Sequence, residues 1–336
     1  MGKTEKKLVK TKKSFGDPDY YEEAYEKWHP KLKTRFEDEV EKYWGRHWGA
    51  NTEIGRLRTI LLHKPGEAIN SIKPPFEAWR YTEKPNLKEM IEDHERLVQA
   101  FKDEGVEVVI RKPETYKPPR LVKSIYCRDP SFSCKGGMIV GRMYDALRRG
   151  EEVFTAQTYL EIGCPVLGIV HGTGIVEGGS VMWLDETHLA ITTGRRTNDE
   201  GARQVTEIVK TTQPEVEVII VPTYESHEPV YMVDKHVALF NLWIQPLPYW
   251  FIEYLEDELK MRLIRLPRGI EGACVAIEPG KVMIASGPDS NELRRILEKE
   301  KIEVIEVKIT SLVLPRNSGT IHCLTQNIIR DPEPPR

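Results

Sequence analysis

One arrangement recurs five times along the chain and limits the folds open to it: an amphipathic helix, a short turn, then a strand rich in valine and isoleucine. NLKEMIEDHERLVQAFKDEG runs into VEVVI, with Leu87, Met90, Ile91, Val98 and Phe101 on one helical face and Gly105 at the stop. EEVFTAQTYLEIG runs into CPVLGIV, with Gly163 in the same place. NDEGARQVTEIVKTTQPE runs into VEVIIV, and Asn198 suits the N-cap. PYWFIEYLEDELK precedes MRLIRL, and SNELRRILEKEK precedes IEVIEV with Ser290 placed to cap. A second apolar run accompanies the units (GMIVG, HLAITT, HVALFN, KVMIAS), and RTILLHK near residue 60 completes the set. Helices alternating with strands give an α/β class. Five similar units favour a closed radial arrangement over the competing doubly wound sheet.

The chain has 336 residues, 40% hydrophobic and 30% charged, with a formal net charge of -3. That balance describes a soluble globular protein without a global pull toward nucleic acid or membrane. No apolar stretch reaches transmembrane length, and MGKTEKKLVKTKK lacks the apolar run of a signal peptide. Cys127, Cys134, Cys164, Cys274 and Cys323 are odd in number and include no CxxC pair, which argues against a disulfide framework and a zinc site. The reading is cytoplasmic, with reduced thiols, no metal and no cofactor. Residues 1–48 read as a basic tail and helical extension containing Trp28, Trp44 and Trp48. Residues 49–330 read as a single β/α domain and residues 331–336 as a tail.

Polar residues follow four of the five units. YCRDPSF carries Arg128 and Asp129; HGTGIVEGGS carries His171 and Glu177; PTYESHEP carries Glu225 and His227; RNSGTIHC carries Arg316 and Cys323. The fourth unit delivers nothing obvious. Brought together, these groups suit nucleophilic catalysis: a thiolate attacks, an imidazole carries protons, and a carboxylate orients the imidazole. A second carboxylate is then free to grip a cation, and the planar fork of a guanidinium matches it bidentately. Taken singly, Asp129 could cap a turn, the glycines of EGGS could serve the backbone alone, and Cys323 could be a small core residue.

RDP at 128–130, EGGS at 177–180, GRRTN at 194–198, GTIHCLTQ at 319–326 and the opening NTEIGRLRTILLHKPG at 51–66 occur in an order and spacing that resembles the guanidino-group-modifying enzymes. That superfamily includes arginine and agmatine deiminases, dimethylarginine dimethylaminohydrolases and arginine amidinotransferases. The resemblance spans residues 49 to 330 and implies the five-bladed β/α propeller (pentein) fold. It implies Cys323 as nucleophile, Glu177 as the carboxylate supporting the catalytic histidine, and Asp129 as the guanidinium ligand. Arg196 would bind the substrate carboxylate, with Arg316 assisting. Two departures stand out. The family's histidine sits in a His-x-Asp segment, whereas His227 is followed by Glu228 and Pro229; a gapless count back from VD at 233–234 puts Glu225 on the histidine position. His227 is the choice, with His171 and His322 as alternatives. Ser180 stands where arginine deiminases carry aspartate, as in agmatine deiminases. The resemblance implies a small guanidino substrate and leaves water or an amine as acceptor, and homo-oligomerisation, open. The competing reading from another class is a non-catalytic propeller similar to the ribosome anti-association factor.

Overall fold

The computed structural model describes residues 34–244 and 246–334. The basic tail, the first part of the expected extension and the last two residues lie outside the described residues. Helix α1 (Phe36–Trp44) ends at Gly45, whose φ of 79° a side chain would strain. Its Val40, with Trp48, packs into a cluster holding Leu61, Cys127, Tyr159 and Ile328.

After α1 come β1 (Leu57–Leu62), α2 (Leu87–Asp103) and β2 (Glu107–Ile110). Four repeats of strand, strand, helix, strand follow. The first is β3 (Ser131–Cys134), β4 (Gly137–Val140), α3 (Glu151–Glu161) and β5 (Val166–Ile169). The second is β6 (Val181–Asp185), β7 (His188–Thr193), α4 (Asp199–Thr212) and β8 (Glu217–Pro222). The third is β9 (Tyr231–Asp234), β10 (Val237–Phe240), α5 (Tyr249–Glu253) with a π-helical continuation over Tyr254–Glu258, and β11 (Arg262–Arg265). The fourth is β12 (Val275–Glu278), β13 (Lys281–Ala285), α6 (Ser290–Lys299) and β14 (Glu303–Val307). A short α7 (Ile321–Leu324) and β15 (Gln326–Arg330) end the order.

Among the described residues the result is five separate three-stranded sheets. In each repeat the first strand runs antiparallel to the second, and the strand after the helix runs parallel to it. The fifth sheet has the same plan but is assembled from both ends of the described chain: β1 pairs antiparallel with β15 and parallel with β2. Middle strands are covered on both faces, which is why they read as unbroken apolar runs. Leu189, Ala190 and Ile191 of β7 are fully buried.

The helices start where the sequence places them. Asn86 accepts from the amides of Lys88 and Glu89, and Asn198 from that of Gly201, the bonds an N-cap supplies. Ser290 differs from expectation. Asp289 is the N-cap position, and Ser290 is the first helical residue, donating its hydroxyl to the Gly287 carbonyl at 3.0 Å. The strands that open each repeat, only four or five residues long, went unrecognised in the periodicity. They matter most, because a chemically useful residue sits just before each of them. Asp129 precedes β3, Glu177 precedes β6, and His227 with Glu228 precedes β9. Glu271 precedes β12, and Cys323 precedes β15. β3 packs beside β15, and β12 beside both β1 and β9, so these entrances are neighbours.

Candidate active site

Cys323 lies on α7, a single turn started by Thr320, whose hydroxyl both receives the Cys323 amide and lies 3.4 Å from its sulfur. Gly319 just before it lies against Tyr126: a Cβ there would come within 2.2 Å of the ring. The thiol opens into a cavity of about 280 Å³ whose wall includes Asp129, Arg196, His227, Glu228, Tyr231 and Glu271. Four of the residues singled out in the sequence (Cys323, His227, Asp129 and Arg196) therefore share one chamber. A larger open groove of about 860 Å³ past Asn70, Lys88 and Glu92 carries no thiol or histidine in its wall.

Glu177 stands behind that wall. It accepts from the Tyr144 amide at 3.1 Å and faces Arg196 at 3.7 Å. Burial, then the charge of Asp129, pushes its carboxyl up. His227 is pushed down by burial and by Arg196, while Glu228, Asp129 and Glu225 pull the other way. Arg316 is not in the cavity wall; its side chain is half exposed and pairs with Glu83 and Glu89, each at 3.1 Å. Glu225 pairs with Arg195 at 3.3 Å on the surface. His171 is exposed, with its Nδ1 2.9 Å from Gln204.

His322, the other alternative, is held in a buried chain. Arg128 donates to the His322 Nε2 and also pairs with Glu53 at 3.1 Å. A guanidinium has donors only, so Nε2 accepts and the proton sits on Nδ1, 2.9 Å from Glu228. Both ring nitrogens are thus spent on structure. Burial alone would raise the Glu228 carboxyl, but the bond from His322 and the nearby Arg128 charge hold it at about 2. Glu228 was legible only as a departure from His-x-Asp; in the structure it is a fixed negative charge in the wall.

The glycines of EGGS are close-approach positions. A Cβ on Gly179 would meet Asp129 Oδ1 at 2.8 Å and Glu228 Oε1 at 3.0 Å. Gly179→Ala is expected to cost about 1–3 kcal/mol by overpacking, read as a lower denaturant midpoint, and to weaken ligand binding by displacing both carboxylates. Unchanged stability and binding would show that the wall has slack.

Burial pushes the Cys323 thiol up to about 12, reinforced by Glu228 and Asp129. A thiol raised this far is protonated near neutrality. Alkylation by iodoacetamide is therefore expected to be slow at pH 8 and to rise about tenfold per pH unit above it, since the thiolate reacts. A plateau near neutrality would contradict this. Of the five cysteines, Cys323 alone is partly exposed, so it should lead the others at every pH.

Comparison with known proteins bears on this geometry. The family defined as N,N dimethylarginine dimethylhydrolase, eukaryotic, matches residues 60–238, more than half of the chain. The chain belongs to that family. The wider guanidino-modifying superfamily is represented among its relatives. An arginine deiminase of Staphylococcus haemolyticus is 25% identical over 408 residues, covering 84% of this chain and 98% of its own. The uncharacterized protein YkgA of Bacillus subtilis is 25% identical over 293 residues, 83% of this chain and 94% of its own. Among solved structures, the dimethylarginine dimethylaminohydrolase of Pseudomonas aeruginosa complexed with citrulline superposes with a TM-score of 0.64 at 19% identity, covering 81% and 99% of the two chains. The inosamine-phosphate amidinotransferase of Streptomyces griseus gives 0.64 at 16% identity, covering 85% and 97%. The mixed α/β fold is that of these proteins.

The structure adds wall residues that motif reading missed. Glu271 supplies what the fourth unit lacked; burial, then Glu228 and Asp289, pushes its carboxyl up to about 7. Its signal was positional, immediately before β12. Arg148, Lys123 and Arg80 reach the site from loops that carry no motif.

Proposed function

We propose that this chain is a cofactor-free thiol enzyme that modifies a guanidino compound, arginine or a relative, by amidinotransferase or deiminase-type chemistry. The observation that carries the reading is the cavity in which Cys323, His227 and Asp129 meet. The five sheets act as five blades: four deliver the residue before their first strand to the central chamber, and the other sets Glu177 behind Arg196.

Asp129 and Glu228 draw the guanidinium in. With that cation in place the thiolate is favoured, and the neutral His227 takes the thiol proton. Cys323 sulfur bonds to the guanidinium carbon, and one C–N bond breaks as the imidazolium gives its proton to the departing amine. An amidino thioether remains. His227, neutral again, removes a proton from water or from an acceptor amine, which attacks the same carbon and releases the sulfur. Arg196 holds the substrate's carboxylate, and Glu177 keeps Arg196 in place. His227 being depressed in the free protein suits both proton transfers, since it starts as a base.

Mass spectrometry of products after incubation with arginine, with and without a panel of amines, tests the reading. Citrulline and ammonia without amine identify water as acceptor. Ornithine plus an amidinated amine, seen only with the panel, identifies an amidinotransferase. Equal alkylation of all five cysteines, unaffected by any guanidino ligand, would instead support a propeller that only binds.

A further inference from the structure

The catalytic cavity continues into a side pocket of about 30 Å³ that shares Asp129, Arg196, Ser318, Gly319 and Cys323 with it. The pocket adds Arg80, Lys123, Tyr126 and Arg148. Its size is about that of one water, enough for one small oxygen-bearing group. Four cationic side chains and one carboxylate line it.

The arginines already have carboxylate partners. Arg80 pairs with Asp145 at 2.7 Å, Arg148 with Asp129 and with Glu151 at 2.8 Å, and Arg196 faces Glu177 at 3.7 Å. Lys123 differs. It is 1% exposed, and its Nζ bonds to neutral oxygens, the Arg80 carbonyl at 2.7 Å and Asn317 Oδ1, above the Tyr81 ring at 3.5 Å. A buried ammonium held by neutral groups is expensive unless an anion joins it. Burial, then Arg148 and Arg80, accordingly pushes Lys123 down to about 6, with Glu151 and Asp145 pulling back. An arriving carboxylate would restore its charge and complete the site. An ammonium on the adjacent carbon would stand against the recharged Lys123, and the pocket's one carboxylate, Asp129, has its Oδ2 taken by Arg148 and its Oδ1 left for the guanidinium.

We propose that Lys123 is a specificity-determining residue, and that it selects guanidino compounds whose chain ends in a carboxylate with no ammonium beside it. This rests on the reading of Cys323 and Asp129 as the guanidino site. It goes further in placing arginine below its own deamino analogue as a ligand.

The test is calorimetric binding to the Cys323→Ser protein, which removes chemistry and any need for an acceptor. The probes are 5-guanidinopentanoate, L-arginine and agmatine, whose chains end in a carboxylate only, in both a carboxylate and an ammonium, or in an ammonium only. Binding of 5-guanidinopentanoate at least about tenfold tighter than arginine, with agmatine weakest, is the expected order; about tenfold corresponds to 1.4 kcal/mol. Lys123→Glu should reverse the order of the first two. Lys123→Met, which removes charge without adding any, should bring them within about threefold and guards against a glutamate variant that does not fold. Arginine binding as tightly as 5-guanidinopentanoate, or an order unchanged in both variants, overturns the proposal and leaves the guanidino reading standing. Failure of all three probes to bind, together with no protection of wild-type Cys323 from alkylation, overturns that reading and the proposal with it.

Discussion

Cys323→Ser is expected to fold as the wild type does and to lose turnover by on the order of 10⁴-fold or more. Serine has nearly the same shape but replaces a polarizable sulfur with a hydroxyl that ionises far less readily. The loss should fall on kcat, because Asp129 and Glu228 in the cavity wall, the proposed guanidinium ligands, are untouched. Quenched reactions of the wild type should show a mass increase on the Cys323 peptide that the variant lacks. Retained activity, or an adduct on one of the four buried cysteines, would remove Cys323 from the mechanism.

His227→Ala is expected to lower kcat by about 10²- to 10⁴-fold, the range for a general acid and base. Glu225→Ala and His171→Ala should stay within about threefold of wild type, because neither lines the cavity. The pH profile gives a second reading. His227 is depressed from its ordinary 6.5 by burial and Arg196, so the acid limb of kcat/KM should lie below that value. On that limb activity falls as the imidazole gains a proton and can no longer accept one from the thiol. An acid limb that persists unchanged in His227→Ala would assign it elsewhere, and full activity in that variant would end the assignment.

The helix-then-strand units were legible because Leu87, Met90, Ile91, Val98 and Phe101 recur at helical spacing and the parallel strands are rich in valine and isoleucine. The strands that open each repeat were not. Ser131–Cys134 is SFSC, fully buried, and four residues with no alternation give no period to detect. The site divided in the same way. Asp129, Glu177, Arg196 and Cys323 stand in short motifs and fall in or beside one chamber. Lys123 and Arg148 stand in stretches without one, and only the packing of loops from different sheets aligns them with the thiol. Arg316 shows the reverse error. Seven residues before Cys323, it turns outward to Glu83 and Glu89 while its neighbour Asn317 turns inward to Lys123. Proximity in sequence therefore says little about proximity to the sulfur.

The pairing of β15 with β1 joins residues about as far apart as this chain allows, Leu57 with Arg330. Such a contact carries a large loop-closure entropy and forms late in an ordinary folding sequence. Cys323 sits immediately before that strand, so the thiol reaches its cavity only when the ring of contacts has shut. On the proposed function, a partly folded chain has no assembled nucleophile, and any fluctuation that peels β15 away would switch the chemistry off. Catalytic competence on that reading is a clasp: it reports that β1 and β15 have met.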